Sequence, residues 1–413
     1  MSTVVIVGAG QAGSELAVAL RQTGFGDRIV VVGAERHLPY QRPPLSKAFL
    51  RGTVEPDGLR TRALDAYTNA GIEIELDTAA IGIDRRRRSV TLADGRELRY
   101  AKLALTTGGS PRPLRFGSDH VAGRTLHHLD DAVSLRQELQ SGGAILIVGG
   151  GFIGLETAAA ATDMGIAVTL LEAQPRVLAR ACSPAVSAFV EREHRSHGVD
   201  LRTGTSVRSV ARRDGALFAE LSDNTVVRAD LILAGVGIAP NDTLAATAGL
   251  AVDDGVLVDA VARTEDPDIV AAGDCTRQWH GFLGRSVRLE SVQNATDQAR
   301  IAARTLCGKP TERFTAPWFW SDQYDHKLQM AGVPQAGDTA VVRGDPSSNS
   351  FAVVYLRNGV ITGLHAVNRL RDFAAGRQLV TARAAITRAE ASLEDLPLSE
   401  LMKRHQPTAE RRV

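Results

Sequence analysis

Residues 3–35 read TVVIVGAGQAGSELAVALRQTGFGDRIVVVGAE, and residues 144–172 read AILIVGGGFIGLETAAAATDMGIAVTLLE. Each stretch holds a short β-branched run, a glycine turn, an alanine-rich helical segment, a second apolar run and an acid. Strand, helix and strand in that order predict a βαβ unit on a parallel sheet. Gly8 and Gly149 stand 141 positions apart, so the chain carries the unit twice.

A second echo follows each unit. Residues 97–111 read ELRYAKLALTTGGSP and residues 226–240 read VVRADLILAGVGIAP. Leu103, Gly108 and Pro111 match Ile232, Gly237 and Pro240 at a constant offset of 129. The first copy is therefore longer by 12 residues, and the natural place for the excess is HLPYQRPPLSKAFL after Glu35. Short alternating runs such as Ser89 to Leu92, and turn signals such as Asp94-Gly95, fill the space between landmarks. From about residue 316 the character changes. Phe351, Val353 and Tyr355 alternate with other residues, Asn358-Gly359 follows, and Ile361 resumes the apolar run. That is a hairpin with a favoured turn, and it places a small α+β domain at the end of the chain.

Gly8, Gly10 and Gly13 form GxGxxG between a strand and a helix. The first glycine makes the tight turn, the second lets the backbone approach a pyrophosphate, and the third allows close helix packing. The free N–H groups of the helix then face the phosphates. Glu35, read as the end of the next strand, is placed for ribose hydroxyls. Gly149, Gly151 and Gly154 repeat the arrangement with Glu172 as the acid. Two such turns imply two dinucleotides, most simply a resident flavin and a diffusible nicotinamide. A third signature, TEDPDIVAAGD at residues 264–274, ends an apolar strand in Gly273-Asp274. A carboxylate there accepts hydrogen bonds from the hydroxyls of a flavin side chain; the plainer reading is an Asp helix cap.

The 413 residues suffice for two or three domains. Lys plus Arg is 48 and Asp plus Glu 47, a net charge of +1. No global field favours nucleic acid or an anionic membrane, so a charged partner must be met by a local patch. Cys182, Cys275 and Cys307 form no close pair. This argues against a local zinc ribbon, a CxxC redox centre and a disulfide scaffold, and fits a reducing compartment; no metal site is expected. With no apolar run of membrane-spanning length and a strand from Thr3, a cytoplasmic protein is expected. Arg85 to Arg88 reads as a solvated hairpin turn.

The most specific segments are RPPLSK (residues 42–47), LESVQNA (289–295) and PWFWSDQYDHKLQ (317–329). On these, over essentially its whole length, the chain resembles the FAD-dependent ferredoxin reductases of oxygenase systems, the putidaredoxin, rubredoxin and biphenyl dioxygenase reductase group. One departure is Gln41, where that family usually carries an acid. The resemblance implies two Rossmann-like domains of the glutathione-reductase type plus a C-terminal α+β domain. It divides the chain into an FAD-binding domain in two parts, 1–112 and 233–315, an NADH-binding domain at 113–232 and a C-terminal domain at 316–413. Gly8, Gly10, Gly13, Glu35, Arg42, Lys47, Gly108, Asp274, Ser291, Val292 and Trp320 fall to FAD. Gly149, Gly151, Gly154, Glu172 and Gly237 fall to NADH.

The resemblance also gives Lys47, Glu156 and Trp320 catalytic roles. Lys47 favours the anionic reduced flavin, Glu156 lines the nicotinamide side and pairs with Lys47, and a helix beginning near Ser291 aims its positive end at the ring. Trp320 belongs to an aromatic group with Phe314, Trp318, Phe319 and Tyr324. The implied activity passes electrons from NADH through FAD to a small acidic [2Fe–2S] ferredoxin that feeds a cytochrome P450 or a ring-hydroxylating dioxygenase. Arg300 and Arg304, four apart on one helix face, are candidates for docking it; the basic tail with Lys403, Arg404, Arg411 and Arg412 against Glu410 is the next. Arg176, four residues past Glu172, is placed to favour a 2′-phosphate. A rubredoxin reductase, an NADH oxidase or peroxidase, a disulfide reductase and a redox interaction protein of the apoptosis-inducing-factor type are the alternatives. The absence of cysteine from residues 38–50 and of any close cysteine pair weighs against the peroxidase and disulfide chemistries.

Overall fold

Strand Thr3–Val7 is the middle of a five-stranded parallel sheet. The order is Ile269–Ala271, Lys102–Leu105, Thr3–Val7, Arg28–Val32, Ile72–Glu75. The computed structural model describes residues 2–116, 121–311 and 314–405. Alternate residues of the central strands enter different cores. Val4, Ile6, Ile29 and Val31 pack with Leu16 and Leu20 of helix Gln11–Thr23, while Val5, Val7, Val30 and Val32 pack with Val90 and Leu92. Both faces are covered, which is why these strands read as continuous apolar runs. Each such side chain, fully withdrawn from water, contributes about 1.5–3 kcal/mol of transfer free energy.

The second module repeats this plan. Asp200–Thr203, Ala167–Glu172, Ala144–Val148 and Leu231–Ala234 form a parallel sheet in that order, with helix Phe152–Asp163 as its first crossover. In both modules an antiparallel meander precedes the strand on the far side of the central one, Lys102–Leu105 or Leu231–Ala234: Ala80–Asp84, Ser89–Leu92 and Glu97–Arg99 in one, Val207–Arg213, Ala216–Leu221 and Val226–Ala229 in the other. Among the described residues, the first module alone adds a fifth strand, Ile269–Ala271, which leads to Asp274.

The C-terminal region is a five-stranded antiparallel sheet in the order Trp318–Gln323, His326–Gly332, Val360–Val367, Ser350–Arg357, Thr339–Asp345. Helices Leu370–Thr381, Arg388–Ser392 and Leu398–His405 follow. The Asn358-Gly359 turn has positive φ at both residues, 51° and 76°, as a two-residue hairpin requires.

The chain forms two compact units: Met1–Arg42, Glu55–Ser110 and Ile238–Thr315 in one, Pro43–Val54, Pro111–Gly237 and Ala316–Val413 in the other. Pro43–Val54, most of the RPPLSK segment included, thus counts with the second unit.

Three expectations need correction. Arg85–Arg88 is a turn, but not merely a solvated one: Arg85 pairs with Asp266 at 2.9 Å and Arg88 with Asp268, so the turn latches onto the acidic start of TEDPD. The five aromatics do not form one group, although Trp318, Phe319 and Trp320 contact in sequence, Trp320 lying 5.5 Å from Trp318 and 6.4 Å from Phe319 between ring centroids. Phe314 lies against His280, Phe319 against Phe152, Trp318 against Trp320 and Phe373, and Tyr324 stacks on His197. Residues 318–323 are a strand, and its alternation sends neighbours to opposite faces. Of the basic tail, Arg411, Arg412 and Glu410 lie outside the described residues; Lys403 and Arg404 pair with Glu400 and Glu390.

Candidate functional site

The first glycine turn cannot accept side chains where it bends. Gly8 has φ +112°, and a Cβ there would lie 2.2 Å from the Thr106 carbonyl oxygen; one at Gly13 would lie 1.9 Å from that of Gly8. Thr106 Oγ1 donates to the Gly8 and Val7 carbonyls at 2.9 and 3.0 Å, bracing the turn. A Cβ at Gly10, by contrast, would meet nothing within 4 Å. Gly10 is the N-cap of helix Gln11–Thr23, extended and without a side-chain cap, so the first-turn N–H groups face an open cradle.

Glu35 lies three residues past the strand Arg28–Val32 instead of ending it. Its carboxylate accepts from Tyr40 Oη at 2.6 Å and from Arg42 at 2.8 Å. Arg42 also lies over the Tyr40 ring, 5.4 Å from its centroid, so its partner is Glu35 despite Gln41.

Gly108 has φ +65° and accepts at its carbonyl from Asn241 N. Asp274 follows Gly273, at φ +88°, and its carboxylate has no hydrogen-bond partner among the described residues; no helix cap is formed. Burial pushes its pKa up to about 7, Glu290 adds to the rise, and Arg42 and Arg288 oppose it. A half-buried acceptor that no described side chain satisfies fits a ligand that brings hydroxyl groups. Ser291 caps helix Val292–Leu306, its Oγ accepting from Asn294 N at 3.1 Å, and Val292 opens that helix with its N–H. The glycine cradle, the orphan acceptor and this helix start all fit FAD.

The second turn has the same geometry. A Cβ at Gly149, φ +117°, would lie 2.4 Å from the Gly235 carbonyl oxygen, and one at Gly154 2.1 Å from that of Gly149. Gly151 caps helix Phe152–Asp163 without a side-chain bond and is nearly as open as Gly10. Gly237, φ +98°, is likewise open and accepts from Arg112 N. Glu172 accepts from Gly150 N and Gln174 N, both at 2.8 Å, and no cation pairs with it among the described residues. Arg176 is not free to meet a phosphate. Its guanidinium donates to the Cys182 carbonyl at 2.8 Å, the Ser187 hydroxyl at 2.7 Å and the Ala179 carbonyl at 2.9 Å.

Lys47 and Glu156 meet within the second unit. Lys47 Nζ lies 3.0 Å from Glu156 Oε1, and Glu156 is only 3% exposed. Ser321 Oγ donates to Glu156 Oε1 and Ser46 Oγ to Oε2, each at 2.6 Å. Burial pushes the Glu156 pKa up, while Lys47, Ser321 and Ser46 hold it down. Trp320 is half-buried, alternating with Phe319 and Ser321 along its strand. Neither serine was singled out from the sequence, and Thr106 was also missed. Ser321 had a signal: Phe319, Ser321 and Gln323 share one face of WFWSDQ, opposite the tryptophans.

Residues 2–299 match the family model described as pyridine nucleotide-disulphide oxidoreductase, and residues 318–402 match the reductase C-terminal model. The chain is 42% identical over 408 residues to putidaredoxin reductase of Pseudomonas putida, covering 97% of this chain and 96% of that protein. The chain belongs to the ferredoxin reductases of the pyridine nucleotide-disulphide oxidoreductase family. The reductase is also 42% identical over 384 residues to the ferredoxin–NAD(+) reductase component of the anthranilate 1,2-dioxygenase system of Burkholderia cepacia, covering 92% and 94%. It superposes with a TM-score of 0.94 and 40% identity on the solved covalent complex of putidaredoxin reductase with putidaredoxin, covering 98% of this chain and 99% of that one.

The cysteines of this reductase do not support the disulfide chemistry in the family's name. All three are free thiols; Cys182 and Cys275 are buried, and burial pushes Cys182 up to about 12. Among the described residues no helix is long and apolar enough to cross a membrane, and no cluster of His, Cys, Asp or Glu is placed to hold a metal.

Proposed function

We propose that this reductase passes electrons from NADH through FAD to a small acidic [2Fe–2S] ferredoxin, which supplies a cytochrome P450 or a ring-hydroxylating dioxygenase. One contrast carries the reading: two open glycine turns in one chain, of which only the first is completed by an orphan acceptor at Asp274. A ligand that stays is held at more points than one that leaves. In this reading residues 1–112 and 233–315 hold FAD, 113–232 hold NADH, and 316–413 form the C-terminal domain. The reductase works in the cytoplasm.

When bound, FAD supplies the conversion between the two-electron donor and the one-electron acceptor. The chain supplies position and charge. Gly10 and Gly151 let backbone N–H groups reach the two pyrophosphates. Asp274 accepts from the flavin's polyol hydroxyls, and Gly108 keeps its turn open beside it in sequence with Thr106. Glu35, fixed by Tyr40 and Arg42, and Glu172, fixed by backbone N–H groups, accept from ribose hydroxyls. Glu172 also disfavours a 2′-phosphate by like charge. Lys47, anchored by Glu156, presents a fixed positive charge that favours the anionic reduced cofactor. Within the first unit, the positive end of the Ser291-capped helix would favour negative charge on a cofactor held there.

The purified protein should be yellow, hold about one FAD per chain, bleach anaerobically with NADH and then reduce an added [2Fe–2S] ferredoxin. A colourless protein that cannot be loaded with FAD would end this reading. Rapid bleaching by NADH without ferredoxin reduction, electrons passing to oxygen alone, would favour the NADH oxidase alternative.

A further inference from the structure

A line of hydrogen bonds runs from Glu156 away from Lys47. Ser321 Oγ lies 2.6 Å from Glu156 Oε1, and Gln323 Nε2 lies 3.1 Å from Ser321 Oγ. Gln323 Oε1 lies 3.0 Å from His194 Nε2, and His194 Nδ1 lies 3.0 Å from Tyr324 Oη. Ser321, Gln323 and His194 are buried, at 0%, 3% and 0% exposure. All of these residues belong to one compact unit. Helix Phe152–Asp163 and strand Trp318–Gln323 bring the line together: Phe152 meets Phe319, and Glu156, one turn on, meets Ser321.

Valence fixes the direction of every bond. Glu156 paired with Lys47 is a carboxylate and can only accept, so Ser321 must spend its single proton on it. Gln323 must then present its NH2 to Ser321 and its carbonyl to His194. His194 must carry its proton on Nε2, which leaves Nδ1 as an acceptor for the Tyr324 hydroxyl. Every donor points toward Glu156. Such chains polarise cooperatively, and in a dry interior each link strengthens the next. Thr162 Oγ1 stands 3.5 Å from the same tyrosine oxygen but already donates to the Ala158 carbonyl at 2.9 Å.

We propose that Tyr324, His194, Gln323 and Ser321 form a one-way hydrogen-bond chain that holds Glu156 as a pure acceptor against Lys47, and that they are thereby positioning residues for reduction by NADH. This rests on the reading of Lys47 and Glu156 as part of the reacting site. Around Glu156 the chain meets Lys47 and Ser46 as well as Ser321. Around His194 the titratable groups are Glu193, His197, His326 and Tyr324. Burial depresses the His194 pKa to about 4, so its ring stays neutral at working pH and its tautomer is set by its partners. Losing the Tyr324 donor frees His194 to move its proton to Nδ1. Gln323 must then flip, and Ser321 has two acceptors for one proton.

Two readouts on the FAD-loaded enzyme test this. The first is the tautomer of His194, read by long-range 15N–1H correlation on histidine-labelled protein between about pH 6 and pH 9, where a shifted neutral imidazole does not titrate. The wild type should show the neutral Nε2–H form throughout. The second is the stopped-flow rate of flavin reduction by NADH, with its pH profile, in three variants. Glu156→Gln should slow reduction roughly tenfold or more. Gln323→Glu, isosteric but acceptor-only, should slow it by a similar factor and move the acid limb to higher pH. Tyr324→Phe, which keeps the ring stack on His197, should slow it roughly two- to fivefold with KM for NADH unchanged. An Nδ1–H tautomer in the wild type would overturn the chain. So would wild-type rates and pH profiles in Gln323→Glu and Tyr324→Phe alongside a slow Glu156→Gln. An unchanged Glu156→Gln would instead overturn the reading of the Lys47–Glu156 pair, and with it any role for the chain in the reaction.

Discussion

The two glycine-turn modules share their strands, their crossover helices and their backbone geometry, yet they hold their acids differently. Strand pairing sets Val7 opposite Val32 and Val148 opposite Leu171. By that register Glu172 corresponds to Gly33, and Glu35 lies two positions further on. Glu172 is therefore anchored by backbone N–H groups at the strand end. Glu35 sits in the following loop, where Tyr40 and Arg42 from the extra segment hold it. The first module has a salt-bridged acid, a fifth strand and Asp274; in the second, among the described residues, the acid has backbone N–H partners but no cation, and no carboxylate stands where Asp274 does. The difference teaches that the same turn can serve a resident cofactor or an exchanging one, according to what is built around it.

The hardest test of that division is a matched pair of substitutions. Gly8→Ala and Gly149→Ala each force a Cβ against a carbonyl oxygen at positive φ, a strain on the order of 1–3 kcal/mol before the clash is counted. Gly8→Ala should yield protein that does not retain FAD. Gly149→Ala should remain yellow but lose roughly 100-fold or more in kcat/KM for NADH. Absorbance of the purified proteins and steady-state assays check both, and loss of flavin from the Gly149 variant would break the assignment of the two turns.

Next in size, Asp274→Ala should weaken FAD binding roughly 10- to 100-fold, the value of hydrogen bonds to a charged acceptor of about 1.5–3 kcal/mol. Titration of flavin-stripped protein with FAD would measure it, and KM for NADH should not move.

Specificity sharpens the contrast at the second turn. With Glu172 unpaired and Arg176 committed to Cys182, Ser187 and Ala179, NADH should exceed NADPH by roughly tenfold or more in kcat/KM, about 1.4 kcal/mol. Arg176→Ala should lower stability and leave that ratio unchanged. A collapse of the ratio would show that Arg176 reads the phosphate.

Most of the fold was legible in the sequence because it is local. Strands Thr3–Val7 and Ser89–Leu92 and the Asn358-Gly359 turn follow from residue type and period. The constant offset of 129 is the spacing of the strands Lys102–Leu105 and Leu231–Ala234. What was not legible depends on contacts distant in sequence. No local pattern says that Arg85 and Arg88 reach Asp266 and Asp268, or that Ser321 meets Glu156. Arg300 and Arg304 look equivalent four apart on a helix. Arg304, however, donates to the Pro310 carbonyl past the helix end, whereas Arg300 is 60% exposed and meets Glu15 only at 3.9 Å.

That asymmetry gives a smaller effect. Arg300→Glu should raise KM for ferredoxin several-fold at low ionic strength and leave flavin reduction by NADH unchanged, because charge reversal acts on association. Arg304→Glu should act mainly on thermal stability. Equal KM changes from both would make the helix face, not one residue, the docking element.

The smallest effect separates the two units by acidity. His194 and His365 in the second unit are held neutral by burial, their pKa values lowered to about 4 and about 3. The unfolded chain binds protons there first, so stability is lost as pH falls from about 6.5 toward those values. In the first unit His280, lowered to about 4, acts in the same direction. Each unit also has a buried carboxyl raised by desolvation, Asp274 at about 7 in the first and Glu156 in the second, that acts in the opposite one, so the second unit keeps the excess of buried histidines. In flavin-stripped protein, acidification should therefore lower the melting temperature of the second unit by a few degrees more than that of the first. Calorimetry with domain-specific probes checks the order.

The central claim is tested most directly in an anaerobic stopped-flow experiment in which the FAD-loaded reductase is mixed with NADH and an excess of an acidic [2Fe–2S] ferredoxin. The flavin should bleach first, and the cluster absorbance should then decay in multiple turnovers, two ferredoxins reduced for each NADH consumed. Flavin that bleaches and stays reduced while the ferredoxin remains oxidised would contradict the account.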